Sequence, residues 1–317
     1  MDFELTDDQF ALQEGIASLC EGRFDIDAVR AMVDGLDRDR WAELAETGVF
    51  GLALSEAEGG VGLGWADAVV VFEQLGRFLV PGPLVGTTLA AGLVDGAIDG
   101  SAVVGIVERA APAVIDHLPW LDQLVVLDDD GVHLIDPSGL DATVARQPLD
   151  VLTPIGTVAQ LPAGDQIAGR DVAAEWRVRG AVLTSALQLG LSLGATELAV
   201  AYAKEREQFG KPIGAFQAVK HRCAEMASRT EVLRAAVYAA GVCLDDTEAG
   251  DAARAASVAR VLATAAAAAS GKDAVQVHGG MGYTWEVDAH LFLKRAWVLD
   301  QAFGDGTEHA EALAAAL

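Results

Sequence analysis

The stretch GDAARAASVARVLATAAAAASGKDAVQVH, residues 250–278, constrains the fold more than any other part of the chain. Alanine is the strongest helix former, and its small side chain lets a neighbouring backbone come close. A helix of this kind gains most of its stability from packing against other helices. Two further segments offer the neighbours: VLTSALQLGLSLGATELAVAYAKER and AFQAVKHRCAEMASRTEVLRAAVYAAGVCL each carry a broad apolar face at helical spacing. Residues 173–317 are therefore expected to form a helical bundle.

The rest of the chain differs in texture. Residues 1–100 read as helical, opening with a Thr6 cap before DDQFALQEGIASLCEGR and continuing through WADAVVVFEQLGRFLV after the glycine-rich EAEGGVGLG. Residues 101–172 change to short apolar runs bounded by Asp, Gly and Pro. SAVVGIVE, LDQLVVL, VHLID and VARQPLDVL read as strands, with DDDG as a hairpin turn. The expected fold class is mainly α with a central β domain, and no short repeat interrupts it.

Charge narrows the function. With 317 residues the chain is long enough for several domains, and its net charge of −25 argues against a nucleic-acid partner. An anionic ligand would need a local basic pocket. No charge-free apolar run reaches the ~20 residues of a membrane span. The acidic, amphipathic MDFELTDDQFALQ lacks the pattern of a signal peptide. Cys20, Cys223 and Cys243 show neither metal spacing nor a disulfide framework, so a reducing cytoplasm is expected and no metal.

Two stretches carry candidate chemistry. In EREQFGKPIGAFQAVKHRCAEM a helix ends, FGKPIG turns the chain, and a helix begins near Phe216. Arg206 suits charge-assisted bonds to a phosphate, Phe209 offers a flat face, and Gly210 and Gly214 permit close backbone approach. Gln217 brings an amide to a helix start, where backbone N–H groups are free. The same residues also suit a capped helix–turn–helix. In DAVQVHGGMGYTWEVDAHLFLKRAW a helix reaches Gln276 and meets Gly279, Gly280 and Gly282, a turn that can set N–H groups against a pyrophosphate or simply end the helix. His278 and His290 lack partners at metal spacing and read as structural. Near the end, FGDGT places Asp305 between two glycines. It reads either as a base on a tight turn or, with Glu308 three residues on, as a helix cap.

Together, ER-x-QFG-x-PIG-x-FQAV-x-H and QVHGGMGYTWE resemble the two helical signatures of the acyl-CoA dehydrogenase family, in order and at matching separation. GVFGLALSEAEGGVGLGWADAVVVFEQLGR is similar to that family's N-terminal helical domain. The resemblance implies an N-terminal helical domain (1–100), a shortened middle β domain (101–172) and a C-terminal helical bundle (173–317). It implies FAD and the α,β-desaturation of an acyl-CoA thioester. The FAD-facing set would be Arg206, Gln208, Phe209, Gln217, Gln276, Gly279 and Gly280.

The departures matter as much. The family's TEP-x-x-GSD and W-x-T/S segments, which wrap the flavin ring and thioester, have no match. The family's Y-E-G-T segment, which bears the usual Glu base, is best matched by GDGT, with Asp305 near the Glu. The position used by other members falls at or beside Gly180, flanked by Arg179 and Ala181, and none of the three is a carboxylate. The chain thus resembles the shorter subunit of heteromeric (α2β2) dehydrogenases of actinobacterial sterol degradation. That subunit completes the FAD site of a full-length partner, which supplies the Glu base and most acyl-CoA contacts. Electron-transfer flavoprotein would be the acceptor. The rival expectations are a self-sufficient homo-oligomer using Asp305, and a flavin-free structural or regulatory paralogue.

Overall fold

The computed structural model describes residues 5–316. Five helices come first: α1 (Asp7–Arg23), α2 (Ile26–Ala31), α3 (Arg38–Glu46), α4 (Trp65–Arg77) and α5 (Leu84–Ala90). Seven strands follow: β1 (Val104–Glu108), β2 (Ala113–Asp116), β3 (Gln123–Leu127), β4 (Gly131–Ile135), β5 (Ala142–Val144), β6 (Ile155–Val158) and β7 (Asp165–Gly169). The long α6 (Arg170–Glu205) leads to the two-residue strands β8 (Glu207–Gln208) and β9 (Lys211–Pro212). Helices α7 (Gln217–Asp245), α8 (Ala252–His278), α9 (Ala289–Leu299) and α10 (Gly306–Ala315) complete the fold. The architecture is mainly helical with a small β portion, as the sequence predicts.

Local signals set several boundaries. Thr6 caps α1 in a reciprocal box: its hydroxyl accepts from Gln9 N at 3.2 Å, and the Gln9 side chain accepts from Thr6 N at 3.1 Å. The DDDG turn joins β3 to antiparallel β4, with Leu127 opposite Val132. The Asp128 carboxylate secures it, accepting from Gly131 N at 3.1 Å and from Arg109 Nε at 2.9 Å. VARQPLDVL departs from expectation. Its strand ends at Val144, and buried Asp150 folds the remainder into a turn by accepting from Leu152 N at 3.1 Å and from the Thr153 hydroxyl at 2.7 Å.

Contacts divide the chain into two compact units. One, formed by Asp27–Ala68 and Pro81–Gly180, holds both larger sheets. Its four-stranded sheet runs β1-β3-β4-β7, with β1 and β3 parallel and the other pairs antiparallel; the three-stranded sheet runs β2-β6-β5. Ala113, Ile115, Leu124, Val126, Ile135 and Val158 pack as a shared apolar core.

The other unit takes the segment ending at Ile26, Val69–Val80, and everything from Ala181 onward. Here α4 and α6 meet backbone to backbone. A Cβ on Gly190 would lie 2.0 Å from the Glu73 carbonyl oxygen, and one on Gly76 would lie 2.1 Å from that of Leu187. Farther along, the Ser192 hydroxyl bonds to those of Thr230 at 2.8 Å and Ser270 at 2.9 Å, tying α6, α7 and α8 at one level. Helix α6 is long and apolar enough to match a membrane span, with a window of mean hydropathy 1.2, yet 83% of that window is buried in the fold. That burial is the mark of a core helix.

Candidate functional site

The two sequence motifs converge on one end of the bundle. Tyr202, in the last turn of α6, stacks on His278, the last residue of α8, with ring centroids 4.2 Å apart. His278 is buried and its Nδ1 lies 2.8 Å from the Ala274 carbonyl oxygen, so its role is structural. Arg206 follows α6, and Gly279 follows α8. The first turn of α7 enters just after the β8–β9 hairpin. Arg222 and Arg229 of α7 both pair with Asp273 of α8, which fixes these helices to each other beneath that end.

The hairpin is tightly built. Gln208 pairs with Lys211 across a two-residue loop in which Phe209 (φ +55°) and Gly210 (φ +75°) are both left-handed. Such a turn matches the twist of its flanking strands. Ile213 N donates to the Arg206 carbonyl oxygen at 2.7 Å. The Phe209 ring is 91% exposed and meets Phe216 edge-on at 6.0 Å, while the Lys211 ammonium sits 4.5 Å above the Phe216 ring. Gln217, the first residue of α7, is exposed. The guanidinium of Arg206 is exposed and makes no side-chain bond among the described residues.

The glycines fall into two kinds. Gly279 is left-handed (φ +64°), and a Cβ at Gly279 or Gly280 would meet nothing within 4 Å, so both face open space beside exposed Gln276. Gly214 and Gly282 instead serve internal packing. A Cβ there would press to 2.9 Å from the Ala203 carbonyl oxygen and 2.5 Å from that of Val275.

Asp305 lies elsewhere. It caps α10: its carboxylate accepts from Thr307 N at 2.8 Å and Glu308 N at 2.9 Å, while Glu308 accepts from Asp305 N at 3.0 Å. A Cβ on its neighbour Gly306 would touch Thr264 of α8 at 3.4 Å. Thr264 and Gly279 are fifteen residues apart along α8, a helical rise of ~20 Å. Within this chain, then, the acid is well separated from the Arg206–Gly280 cluster. The other base position holds no acid either: Gly180 is buried, and Arg179 pairs with Glu175 while stacking at 4.5 Å over Trp65.

Comparison with known proteins identifies the family. Residues 168–317 match the acyl-CoA dehydrogenase C-terminal domain, and residues 6–98 match the N-terminal domain. The chain belongs to the acyl-CoA dehydrogenase family. It is 34% identical to the acyl-CoA dehydrogenase IpdE2 of Mycolicibacterium smegmatis, over 98% of this chain and 99% of that one. It is 36% identical to IpdE2 of Mycobacterium tuberculosis, over 90% of this chain and 89% of that one. A third relative, FadE34 of Mycobacterium tuberculosis, matches at 34% over 92% of this chain but only 45% of its own length. Among solved folds, the ChsE4–ChsE5 complex of Mycobacterium tuberculosis superposes with a TM-score of 0.83 at 22% identity, covering 99% of this chain and 98% of that one. PigA with FAD and proline gives 0.83 at 21%, covering 100% and 99%. The family places the chain among the oxidoreductases.

Two charged clusters escaped the reading of the sequence. Glu73 of α4 is wholly buried; its carboxylate accepts from Arg234 and, at 2.6 Å, from the Tyr238 hydroxyl. Burial first, then the Glu73 carboxylate, push the Tyr238 hydroxyl far above its ordinary range. These partners lie 161 and 165 positions apart, a distance no local spacing encodes. The second cluster centres on Arg260. Its one sequence signal is a lone cation on an apolar, alanine-rich face.

Proposed function

We propose that this chain is the half-site subunit of a heteromeric FAD-dependent acyl-CoA dehydrogenase. A full-length homologous partner, in an α2β2 assembly, supplies the Glu base and the flavin-ring contacts. One observation carries the reading: the Arg206 guanidinium, the Gln276 amide and the open Gly279–Gly280 backbone lie at the shared end of α6 and α8, while neither family base position offers a carboxylate free to act. The cluster fits the adenosine diphosphate portion of FAD. Arg206 presents an unpaired guanidinium, Gln276 an amide, and Gly279–Gly280 a backbone open to close approach. Gln208 and Phe209 extend the same surface, and Gln217 adds a polar group at the start of α7.

Held by Arg206, Gln276 and the Gly279–Gly280 backbone, FAD would supply a hydride acceptor for the acyl β-carbon. This chain's residues bind and orient; they move no proton. The partner's carboxylate removes the α-proton, and electron-transfer flavoprotein takes the electrons onward. The ChsE4–ChsE5 relative is a complex of two differently named chains, which supports the pairing. FadE34 leaves more than half of its length outside the match, room for a second chain of this size. A steroid-derived CoA ester is the favoured substrate, in line with a structural relative described as a steroid acyl-CoA dehydrogenase, Tcur3481–Tcur3483. Three free cysteines suit a cytoplasmic setting.

The test is flavin absorbance of the chain purified alone and after co-expression with a full-length relative. Flavin is expected only in the complex. Arg206→Ala should weaken retention ~10-fold or more, as loss of charge-assisted phosphate bonds does. Stoichiometric flavin on the lone chain would instead support a self-sufficient enzyme. No flavin in either sample would support a flavin-free paralogue.

A further inference from the structure

Arg260 lies in the N-terminal half of α8 and is 0% exposed. A buried arginine ordinarily lies against a carboxylate, because an uncompensated charge in the interior is costly. Arg260 makes no ion pair among the described residues. Its Nη1 donates to Gln188 Oε1 at 2.6 Å. Its Nη2 faces four backbone carbonyl oxygens: Leu299 at 3.3 Å, Asp300 at 3.0 Å, Ala302 at 3.1 Å and Gly304 at 2.9 Å.

Those carbonyls are a particular set. They belong to the C-terminal end of α9 and the turn that follows, where helix carbonyls lack partners and the helix dipole is negative. Carbonyl oxygens therefore make its direct contacts in place of a paired carboxylate, while the Asp300 and Asp305 charges act on it from farther off. Burial pulls the Arg260 guanidinium down to about 10, so it still carries its charge at neutral pH.

Other side chains hold the same turn. The Thr264 hydroxyl donates to Asp300 Oδ1 at 2.6 Å. His309 Nε2 lies 2.9 Å from the Phe303 carbonyl oxygen, and its Nδ1 lies 3.0 Å from the Ser257 hydroxyl. Gln188 is itself oriented by donating to the Ala296 carbonyl at 3.4 Å. Phe303 is left-handed (φ +54°), a conformation that an aromatic residue keeps only when its surroundings impose it. The turn ends at Asp305.

We propose that Arg260 is a positioning residue whose carbonyl cage fixes the turn at 299–304 and so commits Asp305 to capping α10. The lock stands on its own geometry. Its catalytic consequence, that this acid is kept out of the reaction, rests on the half-site reading given above. A mobile turn would let the Asp305 carboxylate leave its cap; a caged one does not.

Hydrogen exchange of the full-length protein tests the cage without reference to flavin. Arg260→Ala should speed exchange across 299–309 by ~10- to 100-fold, while amides at the centres of α6 and α7 stay protected. Low-millimolar methylguanidinium, which fits the vacated space and the same carbonyls, should restore protection; methylammonium at equal concentration should not. Arg260→Lys provides a second variant should the alanine form fail to fold. Its ammonium cannot span Gln188 and the four carbonyls together, so protection of 299–309 should still fall. Unchanged protection in the lysine variant would overturn the proposal. So would a loss in the alanine variant that spreads evenly over the bundle, or one that methylguanidinium leaves uncorrected. Failure here, with flavin still confined to the complex, would refute the lock and leave the half-site reading standing.

Discussion

Asp305 shows how one residue can satisfy two readings of a sequence and only one set of distances. Between glycines it looks like a base on a tight turn; its carboxylate in fact accepts two backbone N–H bonds in a capping box. Asp305→Ala should cost about 1 kcal/mol in urea unfolding, the usual loss for a missing cap. Turnover of the assembled complex should change less than ~2-fold, whereas removal of a working base costs ~100-fold or more. Phe209 makes a complementary case. Asparagine is favoured at a left-handed first turn position, and an aromatic side chain there carries a penalty of ~1 kcal/mol. Phe209→Asn should therefore raise the thermal stability of the chain while lowering flavin retention in the complex. A gain in stability without loss of flavin would remove Phe209 from the cofactor surface.

At the scale of elements, the bundle depends on residues that are small. The crossing of α4 and α6 brings Gly190 against the Glu73 backbone and Gly76 against that of Leu187. Gly190→Ala would force the helices apart and should cost about 1–3 kcal/mol by urea denaturation. It should also disturb the carboxylate that Glu73 offers to Arg234 and Tyr238. The alanine-rich run and the three long amphipathic patterns made these helices legible. The glycine-ended helix and the FGKPIG turn likewise made legible the loops that the half-site proposal assigns to the cofactor. The Glu73 cluster and the Arg260 cage were not, because each joins side chains or carbonyls far apart in sequence. Arg260 stands out in sequence only as a lone cation on an apolar face, and its partners come together only when the chain is folded.

For the whole molecule, the order of helices, strands and helices was readable, and the strand pairing was not. Parallel β1–β3 and the three-stranded β2-β6-β5 sheet join strands of three to five residues, too short to carry a distinct alternation. VARQPLDVL misled for a related reason: its apolar ends flank a turn organised by Asp150 rather than a continuous strand. The surface tells a different story from the core. Phe209 is 91% exposed, Tyr283 82% and Trp285 55%, all in the helical unit of a strongly acidic chain. Contiguous apolar patches mark surfaces that partners cover, and proteins that leave such surface open are triaged by chaperones and proteases. If a partner covers those rings, a cell that makes this chain in excess would clear the surplus as an orphan, and the supply of the partner would set how much of it survives.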